Sequence, residues 1–193
     1  MLLRAAFLFL AAVPLLTAAD PRAAACRKKI DDIEAGRAKP GAVYTFTPAE
    51  INAYAREEIP TVVPKGLRNP TLELSANTAI GGALMDFLQM QHAKGVQVNW
   101  LMEKLLDGER PVRVVIEAQT QNGRAIIYLR RLEISGVAAS GSVLDFLIRN
   151  FFRPLYPRAH INEWFEMGNN IDHVDVRADA VRVYIKSAPV RKR

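Results

Sequence analysis

The stretch over residues 110–154 constrains this chain more than any other, because it reads as a long β-hairpin that runs directly into an apolar helix. Residues 110–121 alternate, with Val112, Val114, Ile116, Ala118 and Thr120 on one face. Asn122-Gly123 then specifies a two-residue type I′ turn, since both residues tolerate positive φ. With that turn Gln121 faces Arg124 on a return strand over 124–135, so Ala118 lies opposite Ile127, Ile116 opposite Leu129 and Val114 opposite Arg131. One face is mostly aliphatic. The other carries Arg113, Glu117, Gln119, Arg124, Tyr128 and Arg130 and suits water, as in most antiparallel sheets.

Beyond the hairpin, Ser140 or Ser142 caps a helix over 143–153 that Pro154 stops. Leu144, Leu147, Ile148 and Phe151 form its deep stripe, widened by Val143, Phe146, Phe152 and Leu155, while Asp145, Arg149, Asn150 and Arg153 hold the outer side. If this helix packs tightly on the aliphatic sheet face, the two make an ordinary core. If the sheet bends away, the same residues line a dry groove that takes an acyl chain.

Ahead of the hairpin, Thr47-Pro48-Ala49-Glu50 is a capping box with proline at the first helical position, placed after a short strand over 42–45. Ile51, Tyr54, Ala55 and Ile59 make one stripe of the helix that follows. Strands are predicted over 71–76 and 79–87, with Gly81-Gly82 marking a bulge or bend that curves the sheet. Val98, Leu101, Met102 and Leu105 predict an amphipathic helix ending near Gly108. Strands over 171–177 and 181–185 close the fold after an irregular connection that holds Trp164 and Phe165.

At 193 residues, 50% hydrophobic and 24% charged, the chain suits one domain with a sizeable core and is cramped for two. Residues 1–19 read as a signal peptide: Arg4 is the n-region, 5–16 is apolar, and Thr17-Ala18-Ala19 offers a cleavage site. The apolar run is shorter than the ~20 residues of a membrane span. Export to the periplasm or the medium is therefore predicted, with an uncleaved N-terminal anchor as the alternative. Residues 20–41 read as a flexible linker or loosely docked arm, 42–186 as a single α+β domain, and 187–193 as a basic tail. Cys26 is the sole cysteine, so no intramolecular disulfide forms, and the thiol reads as free in that flexible segment. The net charge of +6 is spread along the chain apart from Arg27-Lys28-Lys29 and Arg191-Lys192-Arg193, short clusters that read as solvated ends. No nucleic-acid partner is predicted, while contact with an anionic membrane surface stays open.

His92, His160 and His173 lie in separate segments without metal-ligand spacing, so no metal site is predicted. Asp172 and His173 are neighbours in a strand and are expected to point to opposite faces, which excludes an acid–base dyad between them. No catalytic residue and no cofactor is predicted, and the chain does not read as an enzyme.

The order of elements is similar to that of bacterial exported envelope proteins with a tubular-lipid-binding (TULIP-like) half-barrel. The likeness rests on the run Thr47-Pro48-Ala49-Glu50-Ile51-Asn52-Ala53-Tyr54, the Gly81-Gly82 strand, Leu105-Leu106-Asp107-Gly108, the Asn122-Gly123 hairpin and Ile134-Ser135-Gly136-Val137 before the apolar helix. That resemblance implies an α+β fold with a strongly curved antiparallel sheet wrapped around one long apolar helix, and a soluble module that binds or shuttles lipid. An acyl chain of a phospholipid or fatty acid would then lie against Leu84, Phe87, Val114, Ile116, Ile127, Leu129, Leu144, Leu147 and Phe151, with Arg149, Arg153 or Arg158 near its head group. The competing expectation is a non-catalytic envelope scaffold or protein-interaction domain with a fully packed core, its protein partner unknown. That reading would use the polar hairpin face or the Trp164-Phe165 connection.

Overall fold

The computed structural model describes residues 20–62, 66–92, 107–149 and 161–188. Its elements in chain order are α1 (Pro21–Glu34), β1 (Val43–Phe46), α2 (Pro48–Val62), β2 (Leu67–Ser75), β3 (Thr78–Asp86), α3 (Phe87–His92), β4 (Glu109–Gln121), β5 (Arg124–Ile134), β6 (Val137–Ala138), α4 (Gly141–Leu147), β7 (Phe165–Glu166), β8 (Ile171–Val176) and β9 (Val181–Ile185). They build two antiparallel sheets. The smaller runs β1-β9-β8, and the larger runs β2-β3-β4-β5-β6 with β7 paired to β5.

The class is α+β, but the half-barrel is not formed. Among the described residues neither sheet curls around a helix. Of the helix expected over 143–153, positions up to Leu147 belong to α4, Ile148 and Arg149 continue it as a π turn, and 150–153 lie outside the described residues, as do 98–106 of the helix before the hairpin. Gly81 and Gly82 do not bend the sheet either, since both sit in regular register opposite Leu72 and Thr71. A Cβ at Gly82 would lie 2.7 Å from Thr71 Oγ1, so glycine there permits close cross-strand approach. The irregularity falls instead on Asn69-Pro70, between the Arg68 and Thr71 pairings. Proline cannot donate to the ladder, and Asn69 takes a positive φ of 50°.

The hairpin itself forms as expected near its tip, with Gln121 opposite Arg124, Ala118 opposite Ile127 and Ile116 opposite Leu129. Farther down the register shifts. Arg130 is an extra residue in β5, so Val114 faces Leu132 rather than Arg131, and Val112 faces Ile134. This bulge corrects the pattern: without it Val114 and Val112 would meet Arg131 and Glu133 on the apolar face. Phe87, Val112, Ile134 and Leu147 are buried there as one core, with Met85, Val114, Leu132 and Val143 packed around them. Val143 and Leu147 are four apart and share the face of α4 that meets the sheet.

The second core lies under the smaller sheet. Residues 20–41, expected as an arm, contain α1, which Asp20 caps by accepting the Arg22 N–H at 2.9 Å. Ala23, Cys26, Ile30 and Ile33 follow helical spacing, and the last three pack with Phe46 and Ile185. Cys26 is 1% exposed, which overturns its reading as a thiol in a flexible segment. Burial, then the nearby Glu50 charge, pushes that thiol up to about 11. The basic triplet is not a solvated end: Arg27 pairs with Glu57 and Glu58, Lys28 reaches Asp32 at 2.7 Å, and Lys29 donates to Glu50 and to the Thr45 carbonyl, both at 2.7 Å. The Arg27 and Lys29 contacts join α1 to α2 and β1, while the Lys28–Asp32 pair lies within α1.

The capping box forms as predicted, with the Thr47 N–H donating to Glu50 at 2.9 Å and the Glu50 N–H donating to Thr47 Oγ1 at 3.2 Å. It sets the start of α2 and so the position of Asn52 one turn on. Asn52 donates to the Leu72 carbonyl at 2.8 Å and accepts the Leu72 N–H at 2.7 Å. One side-chain amide thereby stands in for a strand at the outer edge of β2, a protection against edge-to-edge pairing.

Candidate functional site

The sheets meet along the outer edge of β8, where the β2–β3 turn and the tip of the β4–β5 hairpin supply hydrogen bonds in place of a neighbouring strand. Thr120 Oγ1 donates to the Val174 carbonyl at 2.7 Å and accepts the Val174 N–H at 2.8 Å. The Asn77 N–H donates to the Val176 carbonyl at 2.9 Å, and the Gly123 N–H donates to the Asp172 carbonyl at 2.6 Å. Both turns require positive φ, 54° at Asn77 and 78° at Gly123. At buried Gly123 a Cβ would also lie 2.6 Å from Lys186 Nζ and 3.3 Å from the Ile171 carbonyl, so glycine lets the tip dock without backbone strain or displacement of Lys186.

That docking coincides with a bulge in β8. Ile171 pairs with Ile185 and His173 with Tyr184, leaving Asp172 as the extra residue. The strict alternation expected for Asp172 and His173 is broken at this point, and the expectation that they face apart fails. His173 Nδ1 lies 2.8 Å from Asp172 Oδ2. An ionised carboxylate only accepts, so Nδ1 donates to it, and Nε2 is the ring nitrogen left without a partner. Across the strands the His173 ring stacks on Tyr184, with centroids 4.1 Å apart and 12° between the planes. The imidazole is therefore held by an edge contact and a face contact at once.

Beside this pair is an open cleft of about 420 Å³, lined by Asn77, Gln119, Thr120, His173, Arg177 and Tyr184 among others. Among the described residues the Asn77 side chain, His173 Nε2 and the Tyr184 hydroxyl make no hydrogen bond, while Gln119 spends one N–H on Glu117 at 3.3 Å. The charged groups are mutually neutralised, for Arg177 Nε donates to Asp175 at 2.7 Å. Just outside, the Arg182 guanidinium holds the Asp179 carboxyl below its ordinary range from 2.7 Å away.

The residues expected to hold an acyl chain are not assembled into a groove. Phe87 and Leu147 are interior members of the larger core, Val114 packs on it, and Ile116, Ile127 and Leu129 continue the same half-buried sheet face. Leu84 pairs with Pro111 and so projects from the opposite face, beside a shallow hollow of about 290 Å³ around Gly81 and Gly82. Leu144 is half-buried outside the core cluster, and Arg149 is folded back so that its Nε donates to the Asp145 carbonyl at 3.3 Å. Phe151, Arg153 and Arg158 lie outside the described residues, together with His92's side chain and His160. The lipid-shuttling reading and the likeness to tubular-lipid-binding half-barrels are overturned by this open two-sheet arrangement. Trp164 and Phe165, left unassigned from sequence, flank the start of β7, where Arg124 lies 5.9 Å over the Trp164 ring. No group of three or more potential metal ligands occurs among the described residues, and no described helix is long and apolar enough to cross a membrane. The chain matches no family model, no curated protein and no solved structure.

Proposed function

We propose that this chain is an exported, non-catalytic recognition module whose binding face is the polar cleft between its two sheets. The reading rests on one observation: side chains with unspent hydrogen-bonding capacity line the cleft, and the strands that carry them are tied together at Thr120, Asn77 and Gly123. A partner meeting such a face loses little free energy to ordering the site, since the His173 ring is already fixed by Asp172 and Tyr184. Sites for small partners commonly span roughly 300–1,000 Å³, and the cleft falls in that range. The export part of this reading is supported by the character of residues 1–19.

Photocrosslinking in cells that make the full chain tests this. A photoreactive residue at Gln119 or Arg177 is expected to trap a partner in the envelope fraction, and the adduct should disappear when Tyr184→Ala is added. The same group at Val137, 71% exposed on β6, serves as the control. Adducts of equal yield at Val137, or adducts indifferent to Tyr184→Ala, would overturn the reading. Recovery of the uncleaved chain from the cytoplasm would overturn export.

A further inference from the structure

Three properties of the cleft narrow the chemistry of what it takes; the narrowing rests on the recognition reading above. The first is the ring pair. His173 and Tyr184 stack in parallel across β8 and β9, and both belong to the cleft lining. The two rings cover each other's inner faces, so a ligand meets an outer face of the stack; that face carries negative π density, and the C–H face of a sugar ring, apolar with slightly positive hydrogens, is complementary to it. The second is the polar rim. Asn77 offers a planar amide with two N–H donors and a carbonyl acceptor, Gln119 retains its acceptor and one N–H, His173 Nε2 is unspent, and the Tyr184 hydroxyl donates and accepts. Adjacent hydroxyls, each a donor and an acceptor, match that mixture, whereas a carboxylate or phosphate would satisfy only the donors.

The third property is charge. Arg177 is bound to Asp175 at 2.7 Å, and Asp172 is bound to His173 at 2.8 Å, so the lining presents no unpaired cation to an anionic ligand. A phosphodiester would instead meet the Asp175 carboxylate, which already occupies Arg177. Neutral ligands meet no such penalty. The geometry points to a neutral saccharide, seated with a ring face on an outer face of the Tyr184–His173 stack and its hydroxyls bonded by Asn77 and Gln119.

The test uses the full mature chain and three named probes: the tetramer of N-acetylglucosamine, maltotetraose and xylotetraose. Amide chemical shifts are followed by two-dimensional NMR during titration. At least one probe is expected to shift Asn77, Gln119, Thr120, His173, Val174 and Tyr184 together and saturably, with Kd below about 10 mM. Tyr184→Ala should weaken that binding at least tenfold, Tyr184→Phe less than threefold, and Asn77→Ala several-fold, each with an unchanged circular dichroism spectrum. If Tyr184→Ala disturbs folding, Tyr184→Phe and Asn77→Ala still separate stacking from hydrogen bonding. Absence of saturable shifts with all three probes would overturn the saccharide assignment. Should a Gly-Asn-Gly-Asn peptide shift the same amides while the sugars do not, the ligand is a peptide segment and only the saccharide assignment falls. Crosslinks that ignore the cleft would remove the recognition reading itself.

Discussion

The two sheets are held in place by different means, and the contrast explains where the candidate site lies. The larger sheet relies on long pairings and on apolar side chains from Phe87, Val112, Ile134 and Leu147. The smaller one rests on α1 and α2, with Cys26, Ile33, Phe46 and Ile185 inside and a border of ion pairs between Arg27, Lys29, Glu50, Glu57 and Glu58. Each regular ladder uses up its own backbone groups. The outer edge of β8, like that of β2 against Asn52, is satisfied without a full strand, here by Thr120, Asn77 and Gly123, and a bulge there turns Asp172 toward His173. Unspent polar side chains collect where regular pairing stops.

Truncating one aromatic in each core should separate the two regions most clearly. Phe46→Ala in the helix-backed sheet and Phe87→Ala in the larger one are each expected to cost about 3–5 kcal/mol, measured by denaturant unfolding. Cys26 serves as a local reporter, because its burial and its thiol raised to about 11 make it inert in the folded chain. Phe46→Ala should bring thiol labelling forward to denaturant concentrations below the global transition. With Phe87→Ala, labelling should track the global transition. Identical labelling curves in both variants would mean that the regions unfold as one unit and that the contrast is architectural only.

Gly123→Ala addresses the joint between them. A side chain at φ 78° costs about 1–2 kcal/mol in backbone strain alone, and displacement of the Lys186 side chain and contact with the Ile171 carbonyl add to it. A total near 2 kcal/mol is expected in the same unfolding assay. Exchange protection of the position-123 and Val174 amides should fall more than that of Ala118, since the first two cross the seam. Uniform loss of protection along β4 would instead place the strain inside the hairpin.

Much of this was readable from local chemistry. The Asn122-Gly123 turn, the Thr47 and Glu50 capping box and the strand over Val181–Ile185 all form where their residues demand. What escaped were the places where one residue too many enters a strand. Arg130 and Asp172 carry no turn or glycine signal, so counting by twos runs past them and misassigns every face beyond. The dyad was lost for that reason alone. α1 escaped for another: Ala23, Cys26, Ile30 and Ile33 make a stripe too small to register as a buried face, and its charged neighbours are neutralised only by residues distant in sequence. The resemblance to lipid-binding half-barrels followed element order, which a flat pair of sheets satisfies as well as a curled one.

The smallest expected effect concerns the ionic border, and it tests whether charge or packing sustains the smaller region. Burial alone would raise the Glu50 carboxyl, but the Lys29 ammonium and the Thr47 N–H outweigh it and hold the group below its ordinary 4.5. A carboxyl depressed on folding stabilises the native state above its unfolded pKa, and that contribution is lost as pH falls from about 4.5 through the lower folded value. Glu50→Gln keeps a capping-box residue and removes only the charge. Near neutrality it should cost about 1 kcal/mol or less, because such pairs are partly screened. The difference from the parent chain should shrink toward zero as the pH of the unfolding experiment is lowered below about 4.5. A constant difference across that window would assign the loss to packing of the side chain, and the contrast between an ion-bordered and an apolar region would not extend to their energetics.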